Sequence, residues 1–559
     1  MKLGGAAVAN AQVSHDLAHA ELLAFPFIFL LSLLFFRSLV AALLPPLLGA
    51  FFVLRLVGEV IDISVFALNL VTGLGLGLAI DYSLFIVSRY REEAAVSGFG
   101  PVALRRTLQT AGRTVLYSSL TVTAAIASLA VFPQRFLYSM GIGGTIVALI
   151  AAGLALVVLP AILVVLGPRV NALAPARLQR AADRDALPAE DGTWYRLSRF
   201  VMRRPAPIGL ASATLLIVLG LPFIGIRFTA VDASVLPPSA SARLVDTALK
   251  RDFPPNRTAP LELVVGAPAG SAQSAGLAAR VATPAGVAAV SPAQPAGPGV
   301  SLIAVAPADT PLSGASQALV RRIRALQLPF SVGVAGQTAA YVDLEQSLAD
   351  HLPEVLAIVI AATLIVLFLM TGSVVLPLKA VLMNALSLSA TFGILVLIFQ
   401  DGRLQGPLSY VSEGALETTQ PVLLFALAFG LATDYGVFLL SRIKEARDAG
   451  APNTEAVAIG LERTGRIVTA AAVLFAVAIG AFAISQLVFI EELGLGTAIA
   501  VLIDASIIRT LLVPSLMALL GAWNWWAPAP LRRLHDRIGW REDDPGGDRE
   551  SRPAPINAR

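Results

Sequence analysis

The chain has no cysteine among its 559 residues, so neither a disulfide framework nor thiol chemistry shapes it. Charge is also scarce: 14% of residues are Asp, Glu, Lys or Arg, against about 25% in ordinary soluble domains. Four histidines, His15, His19, His351 and His535, all fall outside the apolar runs. No HExxH or Cys/His spacing occurs, so no metal site and no cofactor are expected. No nucleophile stands in a pattern with a base, so no catalytic residue is assigned and the chain is not expected to be an enzyme. No GxxxxGK[ST] follows a strand, which argues against ATP-driven transport within this chain. Residues 1–21 carry neither a basic n-region nor an apolar signal core.

What the chain has in place of charge is length in apolar runs. Hydrophobic residues make up 56% of it, and the mean hydropathy is +0.76. Runs of membrane length occur near 22–36, 39–57, 64–88, 113–132 and 137–166, then near 206–226. Five more follow near 353–371, 374–399, 419–441, 465–486 and 490–520. This is the pattern of a polytopic α-helical membrane protein with about eleven transmembrane helices, interrupted by one polar stretch. The net charge of +4 does not point to nucleic acid, because the arginines cluster in loops between spans. Arg89, Arg91, Arg105, Arg106 and Arg113, the linker arginines from Arg169 to Arg204, and Arg442, Lys444, Arg447, Arg463 and Arg466 all fall on one side of an alternating topology. By the positive-inside rule that side is cytoplasmic, and the stretch 227–352 is outside.

The outer stretch has its own pattern. Strands are expected at Leu261–Val265, Val287–Val290, Val300–Val305 and Ser331–Ala335, with helices at Ser271–Val281 and Leu312–Leu326. The order β-α-β-β-α-β is that of an α+β, ferredoxin-like unit.

Two runs carry the same dipeptide in the same frame. Asp81-Tyr82 stands in GLGLAIDYSLFIVSRYREE and Asp434-Tyr435 in AFGLATDYGVFLLSRIKEA, 353 residues apart. Gly112-Arg113 and Gly465-Arg466 repeat at the same offset, as do Gly141 and Gly494. The membrane region is therefore duplicated into two pseudo-symmetric halves. Residues 1–21 match the end of the outer stretch just before Leu352, so by symmetry one span and one outer domain belong ahead of residue 1.

An acid inside a spanning helix costs about 2.5–3.5 kcal/mol on insertion scales. Asp81 lies about 12 Å inside the anchor Arg89 at 1.5 Å rise per residue, too deep for a short side chain to reach water. It must be protonated, paired, or in a wet cavity. Tyr82 and Tyr435 supply hydroxyls able to bond the carboxylate of the opposite half. Either the four groups move protons, or they form a polar network that only fixes helix packing. Gly73 and Gly77, matched by Ala426 and Gly430, form small-xxx-small steps, expected to bring the two acid helices together. Ser118 is a candidate support for the relay or a hydroxyl bonding its own helix. Asp504, with Arg509 five residues on, is either an auxiliary pair near the relay or a pair that stabilises the last span; its first-half counterpart is Ala151.

The stretches GLGLGLAIDYSLFIVSRYREE, AGRTVLYSSLTV, FALAFGLATDYGVFLLSRIKEA, RTGRIVTAAAV and LIDASIIRTLLVPSLM carry a family resemblance. The chain resembles the MMPL (mycobacterial membrane protein large) branch of the resistance–nodulation–division (RND) superfamily over nearly all of residues 22–520. The resemblance implies twelve spans in two halves, each with an outer porter domain after its first span. This chain then corresponds to spans two to twelve with the second porter domain. The implied division is 1–21, the end of a porter domain; 22–166, five spans; 167–205, a cytoplasmic linker; 206–226, one span; 227–352, the extracytoplasmic porter domain; 353–520, five spans; and 521–559, a disordered cytoplasmic tail. It further implies that the Asp-Tyr pairs face each other and relay protons, with Ser118 in the family's GRTV-x-x-S pattern. The implied function is export of lipids or hydrophobic compounds driven by the proton motive force across a bacterial inner membrane, with protons, a hydrophobic substrate, and accessory or self-association partners. The alternatives are a lipid-sensing or scaffold protein of the same fold, and an inactive N-terminally truncated fragment.

Overall fold

The computed structural model describes residues 65–172, 192–230, 240–253 and 259–538, short of positions 284, 409, 413 and 486, together with Glu190 and residues 26, 29, 30 and 33. The spans expected near 22–36 and 39–57, the segment 1–21, most of the linker 173–191 and the tail beyond 538 lie outside the described residues.

The apolar runs are helices because nothing else satisfies backbone polar groups in lipid. Helix α1 (Val65–Ser97) carries Asp81. Among the described residues, eight helices that follow α1 are long and apolar enough to cross a membrane. They are α2 (Pro101–Val131), α3 (Arg135–Asn171), α5 (Pro205–Gly225), α9 (Gln337–Thr371), α10 (Val375–Gln400), α11 (Gln420–Asp448), α12 (Asn453–Ile484) and α13 (Val488–Trp525). Between α3 and α5 lies the amphipathic α4 (Thr193–Arg203), which packs on α12; the backbone N–H of Tyr195 donates to Glu462 and its hydroxyl to Glu455.

The outer stretch folds around one sheet. Strands β2 (Leu261–Val265), β3 (Val287–Val290), β4 (Gln294–Gly297), β5 (Val300–Pro307) and β6 (Val332–Ala335) are joined antiparallel in the order β3-β5-β2-β6, with β4 also on β5. β2 is central, pairing Leu263 with Ile303 and with Val334. Its period of two puts Leu261, Leu263 and Val265 inward and leaves Glu262 and Val264 exposed. Helices α7 (Ala272–Ala282) and α8 (Gly314–Arg324) cover the inward face with Leu277, Val281, Leu319, Val320 and Ile323. Ser271 and Ser313 cap them, each accepting from a backbone N–H three residues on. The four expected strands and two helices are present, with ends shifted by up to two residues; β4 was not expected, and α6 (Ser241–Asp252) precedes the sheet.

The sheet domain is tied to the bundle twice. α9 is one 35-residue helix whose first turns place Ala339 and Val342 in the sheet core and which runs without a break past Leu352 into the bundle. A short parallel pair, β1 (Phe228–Thr229) with β7 (Leu416–Glu417), joins the end of α5 to the start of α11.

The expectation of a disordered tail from 521 onward is corrected over 521–538. Gly521–Trp525 turns and α14 (Ala529–Ile538) is helical. The buried Ser373 hydroxyl donates to the Asn524 carbonyl at 2.6 Å, and His535 reaches the Leu369 carbonyl at 3.2 Å. The His535 contact reaches the last turn of α9 and the Ser373 bond ties the residues just after it to Asn524, neither of which composition alone reveals.

Candidate functional site

α1 and α11 run side by side as copies of one helix, and residues at the 353-residue offset face one another. All four side chains of the Asp-Tyr pairs are fully buried. The Tyr435 hydroxyl donates to Asp81 Oδ2 at 2.6 Å, from one half to the other. The reverse bond, from Tyr82 to Asp434, is not made: neither oxygen of Asp434 has a hydrogen-bond partner among the described residues. Ser118 Oγ faces the Tyr82 hydroxyl, and Asp434 lies within electrostatic reach of both Tyr82 and Asp81.

The second half surrounds its acid differently. Arg509 Nε donates to Asp504 Oδ2 at 2.6 Å, Nη2 pairs with the same carboxylate, and Nη2 also donates to the Ala432 carbonyl at 2.7 Å. The guanidinium stands 5.3 Å from the centre of the Tyr435 ring. The segment Asp504–Leu512 is wound as a π-helix, as is its first-half counterpart over Leu154–Val158, so the difference lies in the side chains it carries. Its i→i+5 bonds bring residues five apart onto one face, which an α-turn would not do. Asn384 on α10 donates to Thr433 Oγ1 at 2.8 Å, immediately before Asp434. The first-half counterparts of Asp504, Arg509 and Thr433 are Ala151, Leu156 and Ile80.

Toward the arginine-bearing end, Phe85 and Phe438 stack at 3.4 Å with 5° between planes. One turn further, Arg89 pairs with Glu445 at 2.9 Å and Arg442 with Glu92 at 3.0 Å. Each arginine also pairs with the glutamate three residues on in its own helix, which closes a ring of four ion pairs. From the sequence, Arg89 and Arg442 are charges at the span ends, Arg89 also the anchor for the depth of Asp81, and Phe85, Phe438, Glu92 and Glu445 carry no signal of their own. The 353-residue offset that relates Asp81 to Asp434 also relates Phe85 to Phe438, Arg89 to Arg442 and Glu92 to Glu445.

The small-residue steps are packing positions, but not between the two acid helices. A Cβ at Gly77 would meet the Phe475 ring of α12 at 2.5 Å, and Gly73 also faces α12. A Cβ at Gly430 would meet Ala125 of α2 at 3.3 Å, and Ala426 is buried. Each acid helix is thus seated against the helix that follows the other acid helix. Asp, Tyr and Phe side chains fill the gap between α1 and α11.

The MMPL family profile matches residues 1–208 and 303–556. Putative membrane protein SCO6666 of Streptomyces coelicolor is 41% identical over 98% of this chain and 75% of its own length. The trehalose monomycolate exporter MmpL3 of Mycolicibacterium smegmatis is 36% identical over 95% of this chain, which spans 57% of that relative. The heme uptake protein MmpL11 of Mycobacterium tuberculosis is 31% identical over 94% of this chain, which spans 56% of that relative. Among solved structures, SecDF, a translocon-associated membrane protein from Thermus thermophilus, superposes with a TM-score of 0.55 at 13% identity, over 90% of this chain and 62% of that one; the likeness is one of fold. Eight membrane-length helices beside such relatives make this a multi-pass protein of the bacterial inner membrane. The chain belongs to the MMPL family.

Proposed function

We propose that this chain is a proton-motive-force-driven transporter of the RND type that exports lipids or other hydrophobic compounds, with Asp81, Tyr82, Asp434 and Tyr435 as its proton relay. The observation that carries the proposal is the Tyr435–Asp81 bond between the two halves, set beside an Asp434 with no bond of its own. A buried acid without a partner is costly to keep charged, and it is the group best placed to take up a proton. Protonation of Asp434 removes a negative charge from between Arg509, Asp81 and Tyr82. The Tyr435 bond can then break and the Tyr82 bond form, so that the two halves exchange roles and shift against each other.

In this reading the arginine-bearing end is cytoplasmic and the sheet domain, residues 227–352, is an extracytoplasmic porter domain. Its strand order, with β2 central between β5 and β6, supports a ferredoxin-like unit. The unbroken α9 supplies the rigid link from sheet to bundle. About eleven spans, with 22–166 as the first-half bundle, 206–226 as the first span of the second half and 353–520 as the second-half bundle, complete the proposed layout. Ser118, Asp504 and Arg509 act as relay support. The cargo class follows from the trehalose monomycolate and heme in the relatives' names. Neither a cofactor nor an enzymatic step is part of the proposal.

The test is Asp434→Asn in proteoliposomes under an imposed pH gradient. Loss of proton-coupled flux, with an unchanged elution profile in detergent, is the expected result. Wild-type flux in this variant would refute the relay and leave the buried acids as a polar network that only fixes helix packing.

A further inference from the structure

A cavity of about 30 Å³ lies against the second-half acid helix at Thr433, next in sequence to Asp434, with Lys379, Asn384, Gly436, Asp504 and Arg509 also among its lining residues. Its wall is mostly apolar, but it has room for about one or two waters and five of its fifteen lining residues carry polar side chains with which a water can bond. Gly436 keeps it open: a Cβ built there meets nothing within 4 Å. The first-half residue at this position is Ser83.

Lys379 stands at the inner end, four residues after the first residue of α10. It is 7% exposed. Its Nζ donates to Met517 Sδ at 2.8 Å and to Asn524 Oδ1 at 3.3 Å, both uncharged, and no carboxylate pairs with it among the described residues. Nothing in packing alone calls for a lysine here, since a methionine would fill the same volume without burying a charge. Lysine differs from arginine in that it can lose and regain its proton inside a protein.

We propose that this cavity is the route by which Asp434 exchanges protons with the cytoplasm, and that Lys379 is the proton carrier at its mouth. The proposal rests on the relay described above and adds to it an exit on one half only. The step is a pair of transfers. The O–H bond of protonated Asp434 breaks to a cavity water near Asn384 and Thr433, and an N–H bond forms on the neutral Lys379 amine. That N–H then breaks to cytoplasmic water, leaving Asp434 as carboxylate and Lys379 as amine for the next cycle.

The absence of native cysteine makes a chemical test clean. Lys379→Cys and Lys379→Met, purified full-length and reconstituted, are expected to slow proton uptake at least tenfold. Treating the Lys379→Cys protein with an aminoethyl methanethiosulfonate rebuilds a side chain ending in a primary amine and restores flux. The trimethylammonium analogue restores the charge without an exchangeable proton and does not. Equal rescue by both reagents, or wild-type flux in Lys379→Met, overturns the proposal. Gly436→Leu, which fills the cavity without touching the lysine, is a second arm and is expected to give the same tenfold loss; wild-type flux there rejects the route. Asp434→Asn run alongside separates the two readings. If it abolishes flux while Lys379→Met and Gly436→Leu do not, the relay stands and the cavity route fails; if it retains flux, the relay itself fails.

Discussion

Asp81 and Asp434 began as equivalent residues of a duplicated helix, and their surroundings are no longer equivalent. Asp81 accepts a short bond from the opposite tyrosine, and its half offers Ile80, Ala151 and Leu156 where the other half has polar groups. Asp434 has no bond of its own but lies near a buried Asp504–Arg509 pair, an Asn384–Thr433 bond and a cavity. Duplication supplied two acids; divergence has left one bonded from the opposite half and the other without a bond of its own. A machine with a direction needs such a difference, because two identical acids on a two-fold axis would have no preferred order of protonation.

The largest effect is expected at the pair that the first half lacks. Arg509→Leu leaves Asp504 buried without its cation and should cost about 3–5 kcal/mol of stability, seen as a lowered unfolding temperature in detergent. Asp504→Ala with Arg509→Leu copies the first-half residues Ala151 and Leu156. That double variant should recover most of the lost stability, since an apolar replacement of a buried pair is often neutral. If it also transports normally, Arg509 serves only packing, and the difference between the halves loses its functional meaning.

Next come the two tyrosines. A hydrogen bond to a charged group contributes about 1.5–3 kcal/mol, a factor of roughly 10–100. Tyr435→Phe removes the bond seen at Asp81 and should slow proton-coupled flux by that order; Tyr82→Phe, with no such bond to lose, should slow it less. Equal losses would mean that both bonds are used in turn with the same weight, and the asymmetry would then belong to one stage of the cycle.

How much of this could be read beforehand depends on what each feature costs. The two acids were legible because a carboxylate in an apolar run is expensive, and their partnership was legible because the flanking residues repeat in register. The strand order was legible because β2 and β5 are bounded by turn residues. The seating of the glycines was not: a small-xxx-small step says that something approaches closely, but not which helix, and here it is α12 and α2. The π-winding over Asp504–Leu512 has no sequence signature, so the reach of Arg509 back to the Ala432 carbonyl could not be foreseen. Lys379 went unremarked because a lysine near a span end normally reaches water along its own stem. The helical α14 was hidden because its contacts are to the end of α9, far away in sequence.

The glycine steps offer a smaller test of the same divergence. Gly77→Ala drives a methyl into the Phe475 ring and should cost about 1–3 kcal/mol as overpacking. Gly430→Ala meets Ala125 at a distance that a small shift relieves, so its cost should stay below about 1 kcal/mol. Phe475 is the counterpart of Val122, which sits near Gly430. Phe475→Val should therefore rescue Gly77→Ala, and thermal unfolding of the single and double variants measures it. No rescue would mean that the two seats have diverged in backbone position as well as in side-chain size.

The smallest effect is expected at the ring of ion pairs, where the halves remain most alike. Exposed pairs contribute about 0.2–1 kcal/mol. The Arg89–Glu445 pair is the more enclosed, with side chains 10% and 26% exposed, against 13% and 39% for Arg442–Glu92. Arg89 is also held by Thr110 at 3.1 Å. Double-mutant cycles on the two pairs, with Met for arginine and Gln for glutamate, should give coupling of about 1 kcal/mol for the first and about half that for the second, both falling as salt rises. Coupling that is equal and insensitive to salt would place both pairs out of reach of water and make the ring a symmetric seal. Coupling ranked as expected would show that even at its most regular end the duplicated bundle holds its first-half arginine more firmly than its second.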